Sequence, residues 1–215
     1  MVFIDIFFNF IVYSQNSEDS RIVFVLADLV VRLWLKFPDF GQIFLARLYT
    51  SCPFFVPCYP RKSKKQTDEM YEAALGFRRK NDKIESMELY WSRTGKLAQL
   101  VAAIWITKTR NNEPHPFSLN HAWMWLTNVM NFEQAPIIFP NLMDEVLKIA
   151  GFSMHHCYQK QFLRLIISLK EHFLVQSKKI GMTEAKPAID RLEMLIDEFM
   201  TKRTFLKPTY LPLSF

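Results

Sequence analysis

The sequence predicts an all-α domain, and three observations carry that expectation. Apolar residues recur with helical spacing in one stretch after another from Ile22 to Phe199. No run beyond the extreme N-terminus alternates apolar and polar residues over a convincing strand length. Only 5 glycines occur in 215 residues, too few for an all-β barrel or a glycine-rich nucleotide loop. Half of the residues are apolar and 22% are charged, which is a globular composition and not a disordered one. Twenty Phe and five Trp suit thick helix–helix packing or an adhesive surface. A formal charge of +6 favours acidic partners without requiring nucleic acid.

The N-terminal run MVFIDIFFNFIVY is apolar but carries Asp5, with no basic leader and no small-residue cleavage site. It falls short of the ~20 residues that span a bilayer and makes a poor signal peptide. It reads as a buried segment or, in preference, as an artefactual gene-model start inside a longer protein. Residues 1–20 are therefore set apart from a helical domain over 21–215.

From Ile22 to Phe37, residues Ile22, Leu26, Leu29, Val30, Leu33, Trp34 and Phe37 predict a helix, with cap candidates in Ser17 to Ser20 and Pro38 as its stop. A second helix follows from Asp39, with Phe40, Ile43, Phe44 and Leu48 on one stripe. It ends at SCPFFVPCYP, where Pro53, Pro57 and Pro60 force an extended crossing. Asp68 to Leu75 predicts a short helix closed by Gly76, and Thr94 to Lys108 an amphipathic one through Leu97, Leu100, Val101, Ile104 and Trp105. His115-Pro116 leads into a helix capped by Ser118 or Asn120. Its core stripe is expected through Leu119, Ala122, Trp123, Leu126 and Met130, with His121 and Trp125 on a second face. Asn141 to Ala150 predicts a short helix ending at Gly151. Met154 to Val175 predicts a long one that buries Tyr158, Phe162, Leu165, Ile166, Leu169 and Phe173. After Gly181, Thr183 is the expected cap of a last helix that turns Ile189, Leu192, Leu195, Ile196 and Phe199 inward. The proline-broken tail KPTYLPLSF is expected to lie against the domain. Such helices, joined by short loops, pack as antiparallel neighbours.

Catalytic chemistry finds no support in the residue pattern. His121 stands in HAWMW where a zinc protease needs HExxH, and no Walker loop, GxSxG or GxGxxG occurs. His155 and His156 beside Cys157 point about 100° apart on a helix and cannot grip one ion together. Cys52, Cys58 and Cys157 lack zinc spacing and read as buried reduced thiols. Between Arg61 and Lys83, basic residues outnumber acidic ones. That bias is read as a solvated face ahead of a phosphate site.

Several elements, taken together, resemble the C-terminal domain of the Gle-one family of mRNA export factors. CPFFVPCYP is similar to the family's CP-x-x-VP-x-YP loop through Cys52, Pro53, Val56, Pro57, Tyr59 and Pro60. YEAALGF is similar to its Y-x-x-x-LGY element through Tyr71, Leu75 and Gly76. HPFSLNHAWMWL is similar to its HP-x-x-LNH-x-W-x-WL signature through His115, Pro116, Leu119, Asn120, His121, Trp123, Trp125 and Leu126. QFLRLIISLKEHF resembles a segment ending in a KE-aromatic pattern, and the elements follow the family's order from about Val25 onward.

The resemblance implies a HEAT-like antiparallel helical stack, an irregular α-solenoid similar to the middle domain of translation-initiation scaffolds. It implies a non-enzymatic activator that binds a DEAD-box RNA helicase of mRNA export at the cytoplasmic face of the nuclear pore complex, with the nuclear envelope and cytoplasm as its locations. It further implies contacts with a phenylalanine-glycine nucleoporin, with translation initiation and termination factors, and with phospholipid. Inositol hexakisphosphate would act as a tether held by Arg47, Arg61 and Lys62. Cys52, Pro53, Pro57, His115, Pro116, Asn120, His121, Trp123 and Trp125 would serve as structural signature, and neither a metal nor a direct nucleic-acid contact is required. Thr50 and Ser51 stand where the family has basic residues, so the polyphosphate is expected to bind weakly and to be sensitive to salt. The family's domain also begins well upstream of this sequence, which motivates the truncated gene model. The alternative from a different class is a translation-scaffold-like helical module that binds RNA directly through Arg61 to Lys83.

Overall fold

The computed structural model describes residues 21–56, 61–81, 83–110, 113–132, 137–180 and 183–208. The N-terminal apolar run, the caps at Ser17 to Ser20, Pro57, Cys58, Tyr59, Pro60, Gly181 and the end of the tail lie outside them. Helix α1 (Arg21–Lys36) meets α2 (Pro38–Ser51) at Phe37, and a 3₁₀ turn (Pro53–Phe55) closes that pair. Then come α3 (Asp68–Ala74), a two-stranded hairpin of β1 (Arg79–Lys80) and β2 (Lys83–Ile84), α4 (Met87–Ile106), α5 (Leu119–Met130) and α6 (Phe139–Ser168). A π-helical turn (Leu169–Phe173) joins α6 to α7 (Leu174–Ile180), and a 3₁₀ turn (Thr183–Ala185) leads into α8 (Lys186–Lys202). The expected all-α, HEAT-like antiparallel stack is what forms. No helix of the described residues is long and apolar enough to cross a membrane.

Helix α4 is the axis of the stack. Every residue from Leu100 to Trp105 is buried, because α1 covers one side and α6 another, and a helix apolar all round needs such cover. It starts earlier than its apolar periodicity suggests. Ser86 caps it by accepting the Leu89 N–H at 3.3 Å, and the first turns carry exposed Met87, Glu88 and Leu89, which hide the helix from a pattern search. On α1 the buried face is Phe24, Ala27, Val30 and Val31, whereas Leu29 is exposed, as is Phe37 at the junction with α2. Apolar residues surround α1, so its neighbours and not its own pattern select the inward face. Ile43 of α2 is likewise exposed while Phe44 and Leu48 are fully buried.

Gly151 does not end a helix. It lies inside α6, and a Cβ there would meet the Phe205 ring at 2.8 Å, so the position is small because the C-terminal segment packs on it. The irregularity falls instead at Gln159, with φ 45° and ψ −114°, a costly conformation for a residue with a Cβ. Thr183 opens the 3₁₀ turn and does not cap α8 directly. The helix begins at Lys186 with Pro187 in its first turn, where a missing N–H costs nothing. The hairpin, pairing Arg79 with Ile84 and Lys80 with Lys83, is too short to leave a sequence signal.

One charged side chain holds four of these elements together. Arg93 of α4 is 1% exposed. Its guanidinium donates to the Ser51 carbonyl at 2.8 Å and to the Gly76 carbonyl at 2.7 Å. It also forms a two-point pair with Glu85, through Nε at 3.2 Å and through Nη2. The other Glu85 role is to accept the Arg78 N–H at 2.8 Å, while Tyr90 donates to the Leu75 carbonyl at 2.8 Å and stacks on Phe77 at 3.9 Å. Gly76 has φ +83°, which a residue with a Cβ rarely adopts, and this turn aims its carbonyl at the guanidinium. A second polar cluster joins α4, α6 and α8. Buried Asp144 takes Lys148 at 2.7 Å and Arg191 at 3.4 Å, and Asn141 bridges Arg191 to the Trp91 carbonyl at 3.1 and 3.2 Å.

Removing one partner of a buried charge pair leaves the other uncompensated, at a cost of roughly 3–5 kcal/mol. Arg93→Ala is therefore expected to lower the urea midpoint by a corresponding amount. The double variant with Glu85→Ala should lose clearly less than the two single losses combined.

Candidate functional site

The signature stretches come together in space, and what joins them is packing. Trp125 of α5 is buried and donates its Nε1–H to the Phe54 carbonyl at 2.9 Å, pinning the Cys-Pro turn to the His-Pro helix. Phe55 lies 5.6 Å from the Trp125 ring and 6.2 Å from Trp105, and Trp105 lies 6.0 Å from Trp125. Phe117 sits 5.8 Å from Trp105 and stacks on Trp34 of α1 at 5.6 Å. The two tryptophans of α5 thus exchange their expected roles. Trp125 enters the core beside Ala122 and Leu126, and half-buried Trp123 packs on Tyr158 of α6 at 4.5 Å. The apolar stripe of α5 admits either tryptophan, and the carbonyl at Phe54 selects the one whose indole N–H it can satisfy.

Cys52 and Pro53 sit at the joint between α2 and the 3₁₀ turn. The Cys52 thiol is fully buried, and burial pushes its pKa up to about 12, the Phe54 amide and the Arg93 charge opposing in part. Such a thiol is inert as a nucleophile. Cys157, expected to be buried, is exposed on α6, because the buried stripe there runs through Met154 and Phe162. His155 packs edge-on against Phe199 at 5.1 Å while His156 is exposed. Among the described residues no group of three or more His, Cys, Asp or Glu is arranged to hold a metal.

His115 and His121 flank Phe117. Nδ1 of His115 accepts the Phe117 N–H at 3.0 Å, which requires the neutral ring with its proton on Nε2. Burial pushes its pKa below the ordinary histidine value; the His121 charge adds to that and the Ile104 carbonyl opposes it. His121 lies 4.7 Å from the Phe117 ring, with Nδ1 at 3.3 Å from the Ser118 carbonyl. Pro116 is half-buried, and Asn120 is exposed and caps nothing; Ser118 is the cap residue by position, without a side-chain bond.

The three residues expected to hold a polyphosphate are all exposed. Arg47 lies on α2, one turn before Thr50, whose hydroxyl donates back to the Ala46 carbonyl at 2.8 Å. Ser51 gives its carbonyl to Arg93. Arg61 and Lys62 stand on the loop before α3, and Lys62 is ion-paired with Asp68, whose carboxyl it holds below the usual carboxylate range. Arg79 pairs with Glu69 at 2.6 Å and Glu72 at 3.2 Å. The acids of α3 thus offset part of the basic stretch from Arg61 to Lys83. Sequence reasoning missed Arg93 and Glu85, the buried ionic group of this region. A charge within the apolar stripe of α4, one turn before Leu97, was the available signal.

A family model described as GLE1-like protein matches residues 15–170. The mRNA export factor Gle1 of Drosophila melanogaster is 32% identical over 189 residues, covering 86% of this chain and 28% of its own length. The mRNA export factor GLE1 of Rattus norvegicus is 28% identical over 207 residues, covering 92% of this chain and 30% of its own. The chain therefore spans less than a third of the length of these relatives. Among solved structures, S. cerevisiae Gle1 bound to the Dbp5 C-terminal domain and IP6 superposes with a TM-score of 0.81 at 20% identity, over 97% of this chain and 72% of that one. A variant of that complex gives 0.83 at 19% identity, over 98% and 70%. At these identities the likeness shows the fold.

Because the His115 pKa lies lower in the folded chain than in the unfolded one, the neutral ring's contribution is whole above about pH 6.5 and is lost as pH falls through the lowered value. Urea midpoints are expected to drop on acidification through that range. His115→Asn, which keeps an acceptor near the Nδ1 position, should flatten this part of the profile.

Proposed function

The chain belongs to the GLE1-like protein family, and from that premise we propose that it is a non-enzymatic mRNA export module that binds and activates a DEAD-box RNA-dependent ATPase. What supports the reading is the family match over most of the chain, together with the naming of its relatives as mRNA export factors. The partner class is supported by the solved neighbours, whose Gle1 chains are bound to Dbp5. The reading extends to work at the cytoplasmic face of the nuclear pore and in the cytoplasm, to a phenylalanine-glycine nucleoporin as second partner, and to a link with translation factors. The chain supplies no reacting group in this scheme. Its rigid stack presents surfaces that favour one arrangement of the ATPase lobes, and it accelerates turnover only through that preference.

The test is a pull-down and ATPase assay with a purified Dbp5-type enzyme. ATP hydrolysis in the presence of RNA is expected to rise severalfold on adding this chain. Failure to bind the ATPase, with a full-length relative as positive control, overturns the reading.

Inositol hexakisphosphate is the proposed tether in the same complex, held by Arg47, Arg61 and Lys62. Asp68 already competes for Lys62, and neither Thr50 nor Ser51 supplies a cation, so the affinity should be low and should fall with salt. Thr50 is exposed, one turn from Arg47. Thr50→Lys is therefore expected to tighten inositol hexakisphosphate binding by roughly tenfold at low salt, the worth of one added charge-assisted contact. Isothermal titration of the two proteins checks it, and equal affinities would remove Arg47 and its neighbours from the site.

A further inference from the structure

A groove of about 430 Å³ lies between the second half of α1 and the loop after α4. Arg32 and Lys36 line it from the helix, Lys108 and Arg110 from the loop, and Val31 and Leu35 add apolar surface. The spacing is what builds it. Arg32 and Lys36 are one helical turn apart and share a face, and Lys108 and Arg110 stand two positions apart in the loop after α4. That loop is braced, since Thr109 donates to the Glu113 carbonyl at 2.6 Å and the Glu113 N–H donates to the Arg110 carbonyl at 3.0 Å. The Trp34–Phe117 stack fixes α1 against the segment that follows.

The charges of this groove are only partly used. Arg32 approaches Asp28 at 2.7 Å, yet its Nε has no hydrogen-bond partner. Among the described residues Lys36, Lys108 and Arg110 form no ion pair; Lys36 lies 5.5 Å from the exposed Phe37 ring. Four cations against the carboxylates of Asp28 and Glu113 leave a modest positive excess. A dense polyphosphate matches this poorly, because two carboxylates would face it and the apolar side chains would stay unused. A ligand with few negative charges and an apolar group matches every part of the lining.

We propose that this groove binds a short acidic peptide segment of a partner protein, with carboxylates on both sides of an apolar residue. The carboxylates meet the cations of α1 and of the loop, and the apolar side chain lies on Val31 and Leu35. Binding of this kind is an electrostatic capture with a small desolvated centre, so it depends on ionic strength.

Fluorescence polarisation on the whole chain, with no ATPase present, tests this independently of the function proposed above. The probe is a labelled peptide with aspartates flanking a leucine, and its control replaces the aspartates by asparagine. The acidic probe is expected to bind at low salt and the control not to. Lys108→Glu with Arg110→Glu should weaken binding at least about tenfold, while Lys64→Glu with Lys65→Glu leaves it unchanged, each pair being verified as folded by circular dichroism. The proposal is overturned if the probe does not bind, or if both charge reversals weaken it equally, which would mean diffuse attraction. It is also overturned if an RNA oligonucleotide displaces the probe and depends on Lys108 and Arg110, which would assign the groove to nucleic acid.

Discussion

The buried guanidinium of Arg93 is the constraint on which the first half of the structure depends. Taking it out of water is costly, and it is tolerated because each of its three nitrogens is directed to a fixed acceptor: the Ser51 carbonyl at the end of α2, the Gly76 carbonyl beyond α3, and Glu85 before α4. None of these acceptors is close in sequence to the others. The ionic group therefore works as a register device, since the α2 end, the left-handed turn and the hairpin must all be in place before the charge is satisfied. Charge alone does not stabilise a fold in this way. The gain lies in penalising every arrangement that leaves one of these groups unpaired.

The aromatic cluster extends the same logic without charge. Trp125 uses its indole N–H on the Phe54 carbonyl and its ring on Phe55 and Trp105. The turn positioned by Arg93 at its Ser51 end is thereby positioned by Trp125 at its Phe54 end. Phe117 then carries the contact outward to Trp34 of α1. Within the most distinctive sequence pattern Trp125 and Leu126 are buried, His115, Pro116, Leu119, His121 and Trp123 are half-buried, and Asn120 is exposed. They mark a scaffold through the packing of their rings.

This division explains what was legible. Helical periodicity predicted α1, α2, α4, α5 and α8 as elements, because an amphipathic or buried helix needs its apolar residues at that spacing, but it read α6 as two helices and did not give α7 as an element. Glycine read as punctuation succeeded at Gly76, where φ is positive, and failed at Gly151, where the reason for glycine is the ring of Phe205. Sequence alone cannot separate these causes, since one is a property of the backbone and the other of a segment more than fifty positions away. The same holds for Trp123 and Trp125. Both suit a helix face, and what distinguishes them is the Phe54 carbonyl that accepts the Trp125 indole N–H. For the polyphosphate candidates the sequence shows the cations but not their neighbours, and Asp68 holding Lys62 is visible only in three dimensions.

Structural charges and available charges can be separated by the same test, namely whether the fold supplies an opposite partner. Arg93, Arg191 and Arg79 have partners on other elements and are used in assembly. Lys36, Lys108 and Arg110 lie on a braced groove with no such partner among the described residues. A cation held in place by its backbone but not neutralised raises the local potential without giving up side-chain freedom to an internal pair. That combination contributes little to the stability of the folded chain, so stability gives no reason for both walls of one groove to carry it. A negatively charged partner does.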